Sequence, residues 1–133
     1  MRRQSRELAL QILFQTEFAP QMSLSDLATV FDKNFDEAVL KYTYDIVKAV
    51  QTNKEKIDAK IQEASRHWKV DRMASVDRNI IRIAACEIFY TADLIEPKIA
   101  MNEAIEIAKT YGTQDAASFV NGIVDRVIRN ERS

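Results

Sequence analysis

The chain has little of what breaks regular structure: two glycines and two prolines in 133 residues. Tight turns between strands draw on those residues. Their scarcity argues against a β-sandwich or meander and for helices joined by short polar connections. A single cysteine, Cys86, excludes an internal disulfide and suits a reducing compartment. The one histidine, His67, shares no ligand spacing with it. Zinc sites take about four such ligands, so no metal is expected. No apolar run approaches the roughly 18 residues of a membrane span. The opening Met1-Arg2-Arg3-Gln4-Ser5-Arg6 leads into no uninterrupted apolar stretch, so neither a membrane segment nor a secretory leader is expected, and the expected location is cytoplasmic. A Gly-rich phosphate loop and the usual catalytic signatures are also missing. The expectation is a protein without catalytic residues, enzymatic activity or cofactor. An excess of one charge is lacking too: 19 Lys and Arg against 20 Asp and Glu leave a net charge of −1. A whole-molecule basic field is thereby excluded, and any nucleic-acid site must be a local patch.

What is present is helical periodicity. The length fits one domain, residues 1–133, large enough to bury roughly two thirds of its unfolded surface. A first helix is expected from Arg3 to Phe18. Leu8, Ala9, Ile12 and Leu13 form its apolar face, and Arg3, Arg6, Leu10 and Phe14 form an adjacent stripe. Pro20 closes it. A second helix is expected to start at Ser23 or Ser25, burying Leu24, Leu27, Ala28 and Phe31. A third spans Glu37 to Gln51, with Leu40, Tyr44, Val47 and Val50 in register. Thr52-Asn53-Lys54-Glu55 has the form of a capping box and predicts a fourth helix, with Ile57, Ile61, Ala64 and Trp68 inward. Ser75 is expected to cap a fifth, through Tyr90. Its core stripe of Val76, Ile80, Ile83 and Ala84 includes an unexpected carboxylate, Glu87. Pro97 marks a connection. The sixth helix runs from Met101 to Tyr111 and stops at Gly112, read as a left-handed cap. The seventh begins near Thr113 or Asp115 and runs to Arg129, with Gly122 read as a site of close helix approach. The expected fold is all-α, a bundle of about seven helices.

Two features stand out from this pattern. Three arginines fall within the first six residues, with Phe14 beyond them. Guanidinium forks match phosphate oxygens, and a phenyl ring can stack on an unpaired base. Cations at a helix N-terminus oppose its dipole, so helix stability alone does not favour the cluster. RNA contact and a solvated helix start remain as alternatives. Glu87 must be paired or hydrogen-bonded if buried. Arg126, Arg129 and Arg132, at the other end of the chain, sit where cations favour the dipole.

The segment Arg2-Arg3-Gln4-Ser5-Arg6-Glu7-Leu8-Ala9-Leu10-Gln11 resembles the arginine-rich opening of the NusB family of transcription antitermination factors. Three further blocks follow in the family's order: Val76 to Ala84 leading to Glu87, Asn102 to Lys109, and Phe119 to Asp125. Only Ala19 to Asp36 is a poor match. The resemblance implies a single NusB-like helical RNA-binding domain in two subbundles. It implies binding of single-stranded boxA-type RNA of ribosomal RNA transcripts, together with the ribosomal protein NusE, and an indirect link to the elongating RNA polymerase. By the same resemblance Arg2, Arg3, Arg6, Phe14, Asp115 and Phe119 are RNA-binding residues, and Asp77 lies near the partner surface. Gln4 interrupts an arginine run that the family often keeps whole, which implies weaker RNA binding alone and greater reliance on the partner. Monomer and homodimer are both compatible with the resemblance. Two rivals stand beside this reading. One is the NusB-like domain of an RNA methyltransferase, although the chain ends at Ser133 with no Gly-rich cofactor domain. The other is a structural helical adaptor with no RNA role.

Overall fold

The first expected helix is present in the computed structural model, which describes residues 2–19 and 35–132, as α1, Arg2–Phe18. It buries the expected face, Leu8, Ala9, Ile12 and Leu13, and also Ser5, Arg6 and Leu10. The second expected helix, with Pro20 before it, lies outside the described residues. The chain continues as α2, Glu37–Thr52, and α3, Lys54–Ala64. A short 3-10 turn, Val70–Arg72, leads to α4, Ser75–Phe89. Then come α5, Pro97–Tyr111, and α6, Ala116–Arg132. All regular structure among the described residues is helical.

One helix organises the rest. α4 touches each of the other five, and eleven of its fifteen residues are buried. A helix enclosed on all sides cannot confine its polar residues to a wet face, so Asp77, Asn79, Arg82 and Glu87 are buried with the isoleucines. Around it α1 packs on α2, and α5 on α6. Buried apolar residues of all six described helices form one contiguous core. Hydroxyls knit the α1–α2 seam: Ser5 Oγ donates to the Val39 carbonyl at 2.9 Å, and Thr43 Oγ1 donates to the Ser5 carbonyl at 3.3 Å.

Several local expectations need correction. The break at Asn53 is where the capping box put it, but Thr52 is still inside α2 and no side chain caps α3. Asn53 instead ends α2, its backbone N–H and its Nδ2 both donating to the Ala49 carbonyl. Ser75 is the first residue of α4, not its cap, because its hydroxyl is committed to Glu17. Trp68 is 58% exposed. Its place on the α3 stripe required helix through residue 68. The helix ends at Ala64, and the next turn closes with Ser65 Oγ donating to the Trp68 carbonyl at 2.6 Å.

The sixth expected helix starts earlier than Met101, because Pro97 serves as the first residue of α5 rather than a break before it. Gly112 is not left-handed; its φ and ψ are −90° and 179°. Glycine is required there for space: a Cβ would sit 2.3 Å from that of Ala116 and 2.9 Å from the Ala108 carbonyl. The reverse holds at Gly122, where a Cβ would meet nothing within 4 Å among the described residues.

Candidate nucleic-acid interface

The first two turns of α1 bring Arg2, Arg3 and Arg6 together, and each meets a carboxylate far away in sequence. Arg6 is only 5% exposed. Its Nε donates to Glu87 Oε1 at 2.7 Å and its Nη1 to Glu103 Oε1 at 3.2 Å. The other Glu87 oxygen accepts the Tyr42 hydroxyl. Burial, and then donation to Glu87, push the Tyr42 phenol above its ordinary range, so it stays a proton donor. Glu87 is therefore the buried, fully partnered carboxylate that its place in the core stripe predicts.

Arg3 forks onto Glu103, with Nε and Nη2 donating to its two oxygens at 3.0 and 2.8 Å. The Arg3 hydrogen bonds, helped by Arg6, hold the Glu103 carboxyl below its usual range despite partial burial. Arg2 pairs with Asp93 at 2.9 Å and lies over the Tyr42 ring, 4.5 Å from its centroid. The three arginines, Asp93 and Glu103, with Leu94, Ile95, Glu96 and Ile99, line an open groove of about 680 Å³. Arg2 and Arg3 present their guanidiniums at the surface, whereas Arg6 is an interior cation that holds α1 to α4 and α5.

The remaining predicted residues lie elsewhere. Phe14 is half-buried and rests against Phe18, ring centroids 4.8 Å apart; Phe18 is 69% exposed. Phe14 lies twelve positions after Arg2, about 18 Å along the helix axis at 1.5 Å per residue. Asp115 is exposed in the turn before α6, where its carbonyl accepts the Phe119 N–H at 3.1 Å. The half-buried Phe119 ring packs on the core. Asp77 is buried, and desolvation raises its carboxyl above the usual range. It adjoins the α5–α6 turn: a Gly112 Cβ would lie 3.3 Å from Asp77 Oδ1.

Sequence reasoning missed Tyr42, Asp93 and Glu103, the groups that hold the arginines. Glu103 sits in a block already singled out, but its contact with Arg3 spans 100 residues and leaves no local periodic signal. A second polar junction was missed as well. Glu17, at the end of α1, accepts hydrogen bonds from Ser75, Arg78 and Asn79 of α4. Arg82 beside it forks onto Asp58 at 2.8 and 2.9 Å and donates to Asn79 Oδ1 at 3.1 Å. At the C-terminus, Arg126 reaches the last carbonyl of α3, Ala64, at 3.4 Å, and Arg129 pairs with Asp125 at 2.8 Å. The side chain of Arg132 lies outside the described residues. No group of three or more His, Cys, Asp or Glu suited to a metal occurs among the described residues. No described helix is long and apolar enough to cross a membrane.

Comparison with known proteins places this arrangement. The NusB family model matches residues 3–129. The chain belongs to the NusB family. A transcription antitermination protein NusB of Bdellovibrio bacteriovorus is 59% identical over 126 residues, covering 95% of this chain and 93% of that protein. The solved structure of Thermotoga maritima NusB superposes with a TM-score of 0.86 at 33% identity, covering 97% of this chain and 91% of that one. A NusB solved with NusE and double-stranded RNA has the same fold, with a TM-score of 0.84 at 21% identity, covering 97% and 96%. NusB architecture thus accounts for the helical bundle, and the arginine cluster lies at its N-terminal end.

Proposed function

We propose that this chain is a transcription antitermination factor. It binds single-stranded boxA-type RNA of ribosomal RNA transcripts jointly with a NusE-type ribosomal protein and so links the RNA to the transcribing polymerase. The observation that carries the reading is the 59% identity, over nearly the whole chain, to a protein described as transcription antitermination protein NusB. The complex of a more distant NusB with NusE and RNA supports the same pairing of partners. The protein acts as an adaptor, in the cytoplasm, without catalysis.

In this reading the phosphate contacts fall to Arg2 and Arg3, whose forks reach the surface, and Arg6 fixes the helix that presents them. Phe14 supplies a face for an unpaired base, with Asp115 and Phe119 flanking the RNA and Asp77 near the partner. Each phosphate neutralised on a single strand contributes about −0.7 to the slope of log affinity against log salt. Two forks give a slope of roughly −1.4. Titration of labelled boxA-type and scrambled strands across salt tests this. The expected result is preference for the boxA-type strand, with the slope lost in an Arg2→Ala, Arg3→Ala variant. Equal binding of the two strands, or an unchanged slope in the variant, would refute the reading or move the site.

A further inference from the structure

We propose that Asp93 and Glu103 are built-in competitors of RNA, occupying the Arg2 and Arg3 forks until phosphate displaces them. The inference rests on the RNA reading above and deepens it. Its basis is a count and a geometry. Three guanidiniums, Arg2, Arg3 and Arg6, face three carboxylates, Asp93, Glu103 and Glu87. The cluster is close to neutral in the free protein and exerts little pull on a polyanion. Glu103 meets Arg3 through both oxygens at 2.8 and 3.0 Å, the bidentate arrangement that two phosphate oxygens adopt on a guanidinium.

The three pairs differ in how easily they open. In the Arg6–Glu87 pair the side chains are 6% and 1% exposed, and no strand reaches between them. In the Arg2–Asp93 pair they are 45% and 77% exposed, and in the Arg3–Glu103 pair 48% and 22%. The Arg2–Asp93 pair, in contact with water on both sides, is weak and exchanges partners readily; Glu103 is also held by Arg6 Nη1 at 3.2 Å and keeps that bond when Arg3 turns to phosphate. Asp93 is nonetheless held in place, not swinging free. The Ile95 N–H donates to the Glu87 carbonyl at 2.9 Å, and Thr91 Oγ1 donates to the Asp93 carbonyl at 3.3 Å. The loop thus returns the Asp93 carboxylate to Arg2 whenever the fork is empty.

Every strand must displace the same two carboxylates, whatever its sequence. The ratio between sequences is unchanged, but the protein held by non-cognate strands at a given concentration falls. Only RNA with further contacts, from bases or from a protein partner, binds tightly enough to remain.

The test uses the full chain, labelled boxA-type and scrambled strands, and the variants Asp93→Asn, Glu103→Gln and both together. Glu63→Gln, an exposed acid on α3, is the control. From the small strength of exposed ion pairs, each arginine-facing substitution should raise affinity about twofold to fivefold for both strands alike. The two effects should multiply in the double variant, and the control should match the parent protein. Unchanged or weaker binding by the double variant would overturn the proposal, since the acids would then be orienting the forks for RNA. Absence of binding by every form would overturn it too. Gains on both strands without any boxA preference would uphold the proposal while sinking the RNA-specific reading; boxA preference without gains would do the reverse. Asp93 lies at the surface, so Asp93→Asn keeps the test decisive should Glu103→Gln perturb folding.

Discussion

Glu87 and Arg6 form an ion pair in a place where neither charge is solvated, and removing Glu87 leaves Arg6 only its 3.2 Å contact with Glu103 and leaves the Tyr42 hydroxyl without its acceptor. Glu87→Ala should therefore destabilise the protein by about 3–5 kcal/mol. Replacing both, Arg6→Met with Glu87→Leu, should recover much of that loss, because two apolar groups of similar volume leave no orphan charge. Chemical denaturation of the three forms decides it, and a double variant as unstable as the single would argue against the pairing as the cause. Two glycines make an opposite pair of expectations. Gly112→Ala forces a Cβ against Ala116 and the Ala108 carbonyl, so the α5–α6 turn must shift and thermal stability should fall. Gly122→Ala meets open space in a helix interior and should stabilise by about 0.5–1 kcal/mol. Thermal melts of both variants side by side read the difference; a loss at Gly122 would mean an unseen contact there.

At the scale of elements, α1 is held at both ends by charge. Its start is fixed by Arg6, and its end by Glu17, which Ser75, Arg78 and Asn79 of α4 clasp. Partial burial raises the Glu17 carboxyl, but the three hydrogen-bond donors outweigh it and the net shift is downward. A lowered folded-state value means stabilisation that is complete above the unfolded value near 4.5 and is lost as pH falls through the folded value. Stability should thus decline below about pH 4.5. Glu17→Gln should be less stable at neutral pH and should flatten that acid limb, as pH-dependent melts can show. An equally steep limb in the variant would assign it to other carboxylates, Glu103 first among them. Helix positions were legible in the sequence because each apolar stripe repeats within a few residues: α2 and α4 end within one residue of expectation. What stops or starts a helix was less legible. Thr52, Ser75 and Gly112 each have the right chemistry for a cap, but α2 runs on through Thr52, Glu17 of α1 takes the Ser75 hydroxyl, and Ala116 of the next helix crowds Gly112. The arginine cluster was legible as a group and the burial of Glu87 as a position. The pairing of Arg6 with Glu87 and of Arg3 with Glu103 was not, since it exists only once α1, α4 and α5 have packed.

The whole molecule is nearly neutral, and its arginine cluster is neutralised by its own acids. Long-range attraction therefore contributes little to RNA capture. Gln4 and Ser5, between Arg3 and Arg6, add no cation to the cluster. A molecule of this kind gains firm RNA binding when a second partner adds contacts to the bound strand, and any such coupling between two ligands must be reciprocal. The expected coupling is about 1–3 kcal/mol, or roughly 5–150-fold in each affinity. RNA affinity should rise by that factor when a NusE-type protein saturates its surface, and the affinity for that protein should rise by the same factor when boxA-type RNA is bound. Titrations along both arms of the cycle measure it. Two unequal factors would expose a fault in the measurement. Two factors of one would mean independent binding, and the adaptor would then hold its partners side by side without cooperation. The Asp93 and Glu103 carboxylates must leave the forks whether or not the partner is bound, so Asp93→Asn with Glu103→Gln should raise RNA affinity by the same factor with and without the partner and leave the coupling factor unchanged.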